Sequence, residues 1–279
     1  MSRLRIGELA RRTGVSEPTL RAWERRYGLL RPGRTDGGFR IYSEADISRV
    51  EAMQRHLASG VAAAEAAALA LEELEREAAP IVTGVADDLV DAFVRFDENA
   101  ANDALDRALA TLTVETAVRD VFFPALRGIA AEWRTDEPAI AREHFATNLI
   151  RGRLVALARG WNRGTGPHAL LACAPEEQHD VALLVFGLAL RERGWRITYL
   201  GARTPVATLA NAAALLGVDL VVVSATSADR FRSCTDELRA LARDKRIAIG
   251  GPGATERHAG EIGAELLAGD PYTAAAALA

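Results

Sequence analysis

Five residues at positions 176–180, EEQHD, set a histidine among carboxylates between two apolar runs, LLAC and VALLVF. Two chemistries fit His179. In a helix start, the acids face the positive end of the helix dipole and the imidazole has no special task. In a metal site, one ring nitrogen ligates while an acid such as Glu177 holds the other. Taken alone, the pentapeptide favours the helix start. Other residues could also do chemistry. Ser224 lies 45 residues after His179, Thr226 two further on, and the pair Gly250-Gly251 26 residues after the serine. Trp133 precedes Glu143 by ten residues in EWRTDEPAIAREH, with His144 adjacent, which by itself reads as a buried indole and a helix-surface pair. His56, His168 and His258 read as structural or solvated. No Walker loop or zinc spacing occurs, and Cys173 and Cys234 make no disulfide framework.

A different chemistry is visible near the N-terminus. The 279-residue chain has a net charge of −4, yet residues 1–56 hold 12 arginines against 7 acids. A basic head on an acidic body suggests a polyanionic partner for the head. In IGELARRTGVSEPTLRAWERRYG, Ile6, Leu9 and Ala10 share a helix face before a Gly14-Val15 turn. Ser16 suits an N-cap and Pro18 an early helical position, the pattern of a helix-turn-helix. Leu20, Trp23 and Tyr27 then fall on one face, which leaves Arg21 and Arg25 opposite and Arg26 on a flank. Guanidinium forks so placed fit guanine edges and phosphates. GLLRPGRTDGGFRIYS has the composition of a hairpin wing, and Ser43 with Asp46 starts a third helix through about Ser59.

These chemical groups need elements to hold them. Residues 61–79 predict one Ala-rich helix that ends at Pro80. Four helices, over about 82–96, 99–111, 114–132 and 138–162, then form a bundle. From His168 the pattern alternates. HALLACA, WRITYLGA, DLVVVSA and RIAIGG read as strands, with helices over 179–193, 205–216 and 229–244. This predicts a doubly wound parallel sheet, in which ligands bind beyond the carboxyl ends of the strands. His179, Ser224 and Gly250-Gly251 all lie at those ends. The fold class is therefore multidomain α and α/β. It comprises a head over 1–75, a helical bundle over 80–163 and a Rossmann-like domain over 167–279. No apolar run is long enough to span a membrane and two cysteines suggest reduced thiols, so a cytoplasmic protein without a membrane partner is expected.

Two resemblances then emerge. IGELARRTGVS, TLRAWERRYGLLRP and GGFRIYSEADI closely resemble the winged helix-turn-helix of MerR-type transcription regulators over residues 4–57. This implies dimers on double-stranded operator DNA, with Thr19, Arg21, Arg25, Arg26, Arg40 and Tyr42 as candidate DNA contacts. The long coiled coil usual in that family is missing, so self-association is expected through the body. The Glu–x–His, Ser224 and Gly-Gly series resembles the cobalamin-binding domain of methionine synthase and corrinoid methyl carriers. It implies His179 as the lower axial cobalt ligand in place of the nucleotide base, with Glu177 behind it. Ser224, Thr226, Gly250 and Gly251 would then line the channel for the displaced nucleotide tail. A serine hydroxyl can bond such a tail, and glycines admit a bulky ligand close to the backbone. Ala182 stands where the motif has glycine, and Thr226 where it has leucine.

Head, bundle and cobalamin domain together resemble the CarH-type photoreceptors. The resemblance implies adenosylcobalamin as cofactor, Trp133 over the adenosyl group and Glu143 supporting adenosyl binding and tetramer contacts. His144 would ligate cobalt after photolysis. The implied function is a light-responsive repressor, oligomeric on DNA in the dark, and not an enzyme. A regulator that senses cobalamin without light, or acts as apoprotein, is the alternative. A corrinoid methyl carrier fits less well because of the DNA-binding head.

Overall fold

In a computed structural model, residues 4–34, 39–132 and 137–278 are described. They form two compact units, one ending at Ile150 and the other starting at Arg151.

The first unit begins with α1 (Ile6–Thr13) and α2 (Glu17–Tyr27), joined through Gly14 at φ 71°. The Ser16 side chain accepts the Thr19 N–H at the start of α2, as the sequence predicts. Strands β1 (Gly33–Arg34) and β2 (Arg40–Ile41) pair antiparallel as the wing. Helix α3 (Glu44–Ala58) opens with a reciprocal capping box between Ser43 and Asp46. Leu9, Leu20, Trp23, Val50 and Met53 form the head's core, which Ala66, Ala67 and Ala70 complete.

Those alanines belong to α4 (Ala63–Val94), a 32-residue helix that runs through Pro80. Two helices meeting at Pro80 were expected here. A proline removes one helical hydrogen bond and crowds the carbonyl four residues back. Pro80 is exposed, so water can take the freed carbonyl and the helix continues. The bundle proceeds through α5 (Glu98–Thr111), α6 (Val114–Thr116), α7 (Phe123–Glu132) and α8 (Glu137–Leu157). Between α6 and α7, residues Ala117–Phe122 form a π-helical segment in place of the uninterrupted helix expected over 114–132. Its wider turn buries Ala117, Val118, Val121 and Phe122 together.

The second unit is a five-stranded parallel sheet. Its elements are β3 (His168–Cys173), α9 (Val181–Glu192), β4 (Arg196–Gly201), α10 (Val206–Leu216) and β5 (Leu220–Ser224), then α11 (Ala228–Arg232), α12 (Thr235–Ala242) and β6 (Ile247–Gly250). It ends with α13 (Glu256–Ile262), β7 (Glu265–Leu266) and α14 (Pro271–Ala276). The strand order is β4-β3-β5-β6-β7. Chain order reverses between β3 and β5, so the crevice for a ligand opens at their carboxyl ends. β3, β5 and β6 are buried along their whole length, which explains their unbroken apolar sequences. The helix expected over 229–244 is broken at Ser233-Cys234, where both side chains bond the Arg230 carbonyl instead of leaving it to the helix.

Candidate functional site

At the crevice the backbone turns sharply out of β3. Glu176 (φ 61°) and Arg203 (φ 52°) both take the left-handed conformation, one after β3 and the other after β4. Such residues cost about 1–3 kcal/mol and persist where surrounding contacts hold them. Here the Arg203 N–H donates to the Glu177 carbonyl at 2.8 Å. The turn drives the Glu177 side chain inward, to 2% exposure, and His179 outward.

All of Glu177's accepting capacity is used. Its Oε1 accepts the His179 backbone N–H at 2.9 Å and faces His179 Nδ1 at 2.6 Å. Its Oε2 accepts the Thr226 N–H at 2.7 Å and the Thr226 hydroxyl at 2.6 Å. Burial pushes the carboxyl upward, but the bonds from Thr226 and His179 outweigh it and hold the group at about 2. An ionised carboxylate needs a donor, so Nδ1 carries the imidazole proton. The Nε2 lone pair is then left on a side chain that is 70% exposed. Such an oriented, exposed imidazole could serve as a metal ligand.

EEQHD does lead into a helix, as the alternative reading has it, but its acids do not serve as side-chain caps. Asp180 occupies the N-cap of α9, yet its side chain makes no capping bond. It is buried and instead accepts Arg151 Nε at 3.0 and 2.9 Å and the Tyr199 hydroxyl at 2.7 Å. Sequence reasoning missed Arg151 and Tyr199. Asp180 was in view, but as a dipole-facing acid, and nothing local signals partners 29 and 19 residues away.

The other candidate residues gather around the same crevice. Thr226 lies against Glu177 and supports the histidine through it. Ser224 is buried at the end of β5, level with Gly250 on β6. A side chain at Gly251 would meet the Ala225 carbonyl at 2.5 Å and Ser224 Oγ at 3.0 Å, and its φ is +87°. The protein's own packing thus already demands glycine there. Ala182 is exposed in the first turn of α9. Glu176, Glu177, Gln178, His179, Thr226 and Ser227 line a cleft of about 580 Å³, completed by Asp229 and Arg230.

In the first unit, Glu143 and His144 are exposed on α8, and Trp133 lies outside the described residues. Arg21, Arg25 and Arg26 are exposed on α2 as expected, with Arg21 3.5 Å from Glu17. Thr19 is half-buried and shares a 2.7 Å hydrogen bond with Ser16. Tyr42, expected to face DNA, is fully buried; its hydroxyl donates to Glu24 at 2.9 Å. Apolar packing of the ring in the head's core decides this, and Glu24 satisfies the phenol. Arg40 is exposed and also bonds Glu24, at 2.8 Å, which ties the wing to α2.

Comparison with known proteins shows the family. Residues 4–73 match the MerR HTH family regulatory protein, and residues 85–158 and 167–279 each match a B12 binding domain. The chain is 35% identical over 271 residues to the HTH-type transcriptional repressor CarH of Myxococcus xanthus, covering 91% of each chain. It is also 35% identical to the repressor CarA of the same organism, over 91% of this chain and 88% of that one. The chain belongs to the MerR-type regulators that carry B12-binding domains. A monomethylamine corrinoid protein of Methanosarcina barkeri shares the fold, with a TM-score of 0.59, 20% identity and coverage of 70% of this chain and 97% of that one. This member of the CarH and CarA group is accordingly a cobalamin-binding, DNA-binding transcriptional regulator. Among the described residues, no helix is long and apolar enough to cross a membrane.

The donor set fits that cofactor. Among the described residues, no group of three or more His, Cys, Asp or Glu side chains could hold a bare metal ion. A corrinoid brings its own ring nitrogens and needs one further donor from the protein, for which the oriented, exposed imidazole of His179 is chemically suited.

Proposed function

We propose that this protein is a light-responsive, cytoplasmic transcriptional repressor that uses adenosylcobalamin and binds its operator as a dark oligomer. The observation that carries the reading is His179, with Nδ1 held by a buried, ionised Glu177 and Nε2 directed outward. Overall similarity to the CarH and CarA repressors across 91% of the chain supports it.

In this reading residues 1–75 bind DNA, residues 80–163 cover the upper ligand, and residues 167–279 hold the corrinoid. When bound, adenosylcobalamin supplies the chromophore and a light-cleavable cobalt–carbon bond. His179 would hold the cobalt of the corrinoid, and Glu177 with Thr226 would keep its ring in one tautomer and one orientation. Ser224 and the Gly250-Gly251 turn line the channel for the displaced tail. Trp133 would be the residue to cover an upper adenosyl group, Glu143 would bond its hydroxyls or a neighbouring subunit, and His144 would be available as a second imidazole. Arg21, Arg25 and Arg26 read the operator, and avidity makes a tetramer bind more tightly than a lone head.

The test is to load the protein with adenosylcobalamin in the dark and record spectra, size-exclusion profiles and operator binding before and after green light. The expected result is a dark oligomer on DNA that dissociates on illumination. A dark oligomer identical with and without cofactor, and indifferent to light, refutes the switch and favours the light-independent regulator.

A further inference from the structure

The cleft beside His179 is lined by three carboxylates and a single arginine, yet its charges are unevenly matched. Glu176 pairs with Arg203 at 3.3 Å. Glu177 is saturated by Thr226 and His179. Asp229 pairs with Arg232. Every acid of the wall already has its partner. Arg230 does not: among the described residues no carboxylate lies within ion-pair distance of its guanidinium, although the side chain is half-buried on the cleft wall. Its backbone is anchored, with its N–H donating to the Ser227 carbonyl and its carbonyl accepting from Ser233 and Cys234. The cleft wall thus carries an arginine, anchored at its backbone, whose charge no carboxylate among the described residues compensates.

A partly desolvated guanidinium in that position suits a singly charged anion with two oxygens side by side, which it can bind through parallel N–H donors. The periphery of cobalamin is made of neutral amides. Its single negative charge is the phosphodiester that joins the corrin ring to the lower nucleotide. We infer that Arg230 binds this phosphodiester and makes the cleft selective for corrinoids that retain their nucleotide loop. The inference rests on the reading of the cleft as the corrinoid site, and it adds a charged contact to the tail channel that Ser224 and Gly250-Gly251 would line.

The experiment compares adenosylcobalamin with adenosylcobinamide, which shares the upper ligand but lacks the nucleotide. Both are titrated in the dark against the full-length protein and its Arg230→Gln and Arg230→Lys variants. Arg230→Gln should weaken adenosylcobalamin binding by about 10- to 100-fold, the scale of a charged hydrogen bond, and leave adenosylcobinamide affinity unchanged. Arg230→Lys, which keeps the charge but loses the fork, should retain part of the affinity for adenosylcobalamin. Equal losses for both corrinoids, or none for either, overturn the proposal. Failure of the wild-type protein to bind either compound would instead remove the corrinoid reading, and this role of Arg230 with it.

Discussion

The recognition helix α2 and the rim after β3 both present charged groups to a ligand, but in opposite ways. On α2, Arg25 and Arg26 are exposed without an ion-pair partner among the described residues, and Arg21 is only loosely engaged by Glu17. At the rim, Glu177 and Asp180 are buried and every oxygen has a donor within 3.0 Å. In the proposed function the difference follows from the ligands. DNA offers many equivalent phosphates, so affinity accumulates over mobile cations and released counterions. A single bond to cobalt would have one direction, so a nitrogen meant for it gains from being oriented beforehand.

The largest effect should come from the rim. His179→Ala is expected to weaken cobalamin binding severely or leave the cofactor with its own base on cobalt, visible in the absorption spectrum. An unchanged spectrum and affinity would place the ligand elsewhere. One step back, Glu177→Gln should lower cobalamin affinity by about 10- to 100-fold, the usual cost of losing the group behind a ligating histidine. Thr226→Val removes only the hydroxyl bond to Glu177 and keeps the backbone one, so its loss should be smaller. If Thr226→Val matched Glu177→Gln, the threonine would have to touch the ligand itself.

The head should respond more gently and independently. Arg25→Ala is expected to cost about 1–3 kcal/mol of operator affinity with lost discrimination at one base pair if it reads a base. If Arg25 contacts a phosphate, the salt slope should fall by about one unit instead. Cobalamin affinity should not change in this variant; a coupled loss would break the separation drawn between the two regions.

The smallest effect concerns pH and the far side of the sheet. His168, at the start of β3, is buried, and its pKa is lowered first by that burial and then by Arg196, against an opposing pull from Asp219. Below its unfolded value of about 6.5, the unfolded chain binds a proton that the folded one resists. Its contribution is therefore complete above that pH and is lost as pH falls through the lower folded value. His168→Gln, still within reach of Thr198, should flatten the acid limb of a denaturant-stability profile. An unaltered slope would assign the acid sensitivity to other groups.

Local chemistry written into the sequence was legible to the extent that one residue's neighbours decide its conformation. Ser16 and Ser43 cap the helices they were expected to cap, Gly14 turns where it was expected to turn, and the apolar runs at His168 and Leu220 become buried strands. The spacing of His179, Ser224 and Gly250-Gly251 placed all of them at strand ends because one strand and one helix consume a nearly fixed length of chain. The edge strand Glu265–Leu266 was too short to leave a periodic signal. Tyr42 was misplaced because a tyrosine in a wing suits either solvent or core, and only the packed head selects the core.

What the sequence by itself determined, then, is the inventory: a basic helix-turn-helix, a run of bundle helices, a parallel sheet, and a histidine preceded by an acid at a strand's end. Only the tertiary structure decided which partner each charge has. Glu177 bonds Thr226 49 residues away, Asp180 turns from the helix end to Arg151 and Tyr199, and Arg230 is left over. Pro80 likewise became a position within a helix rather than its end. Propensity and periodicity act over one or two turns of chain. The partner of a buried carboxylate is set by whichever donors the fold brings within about 3 Å, because an unmatched charge there would be costly.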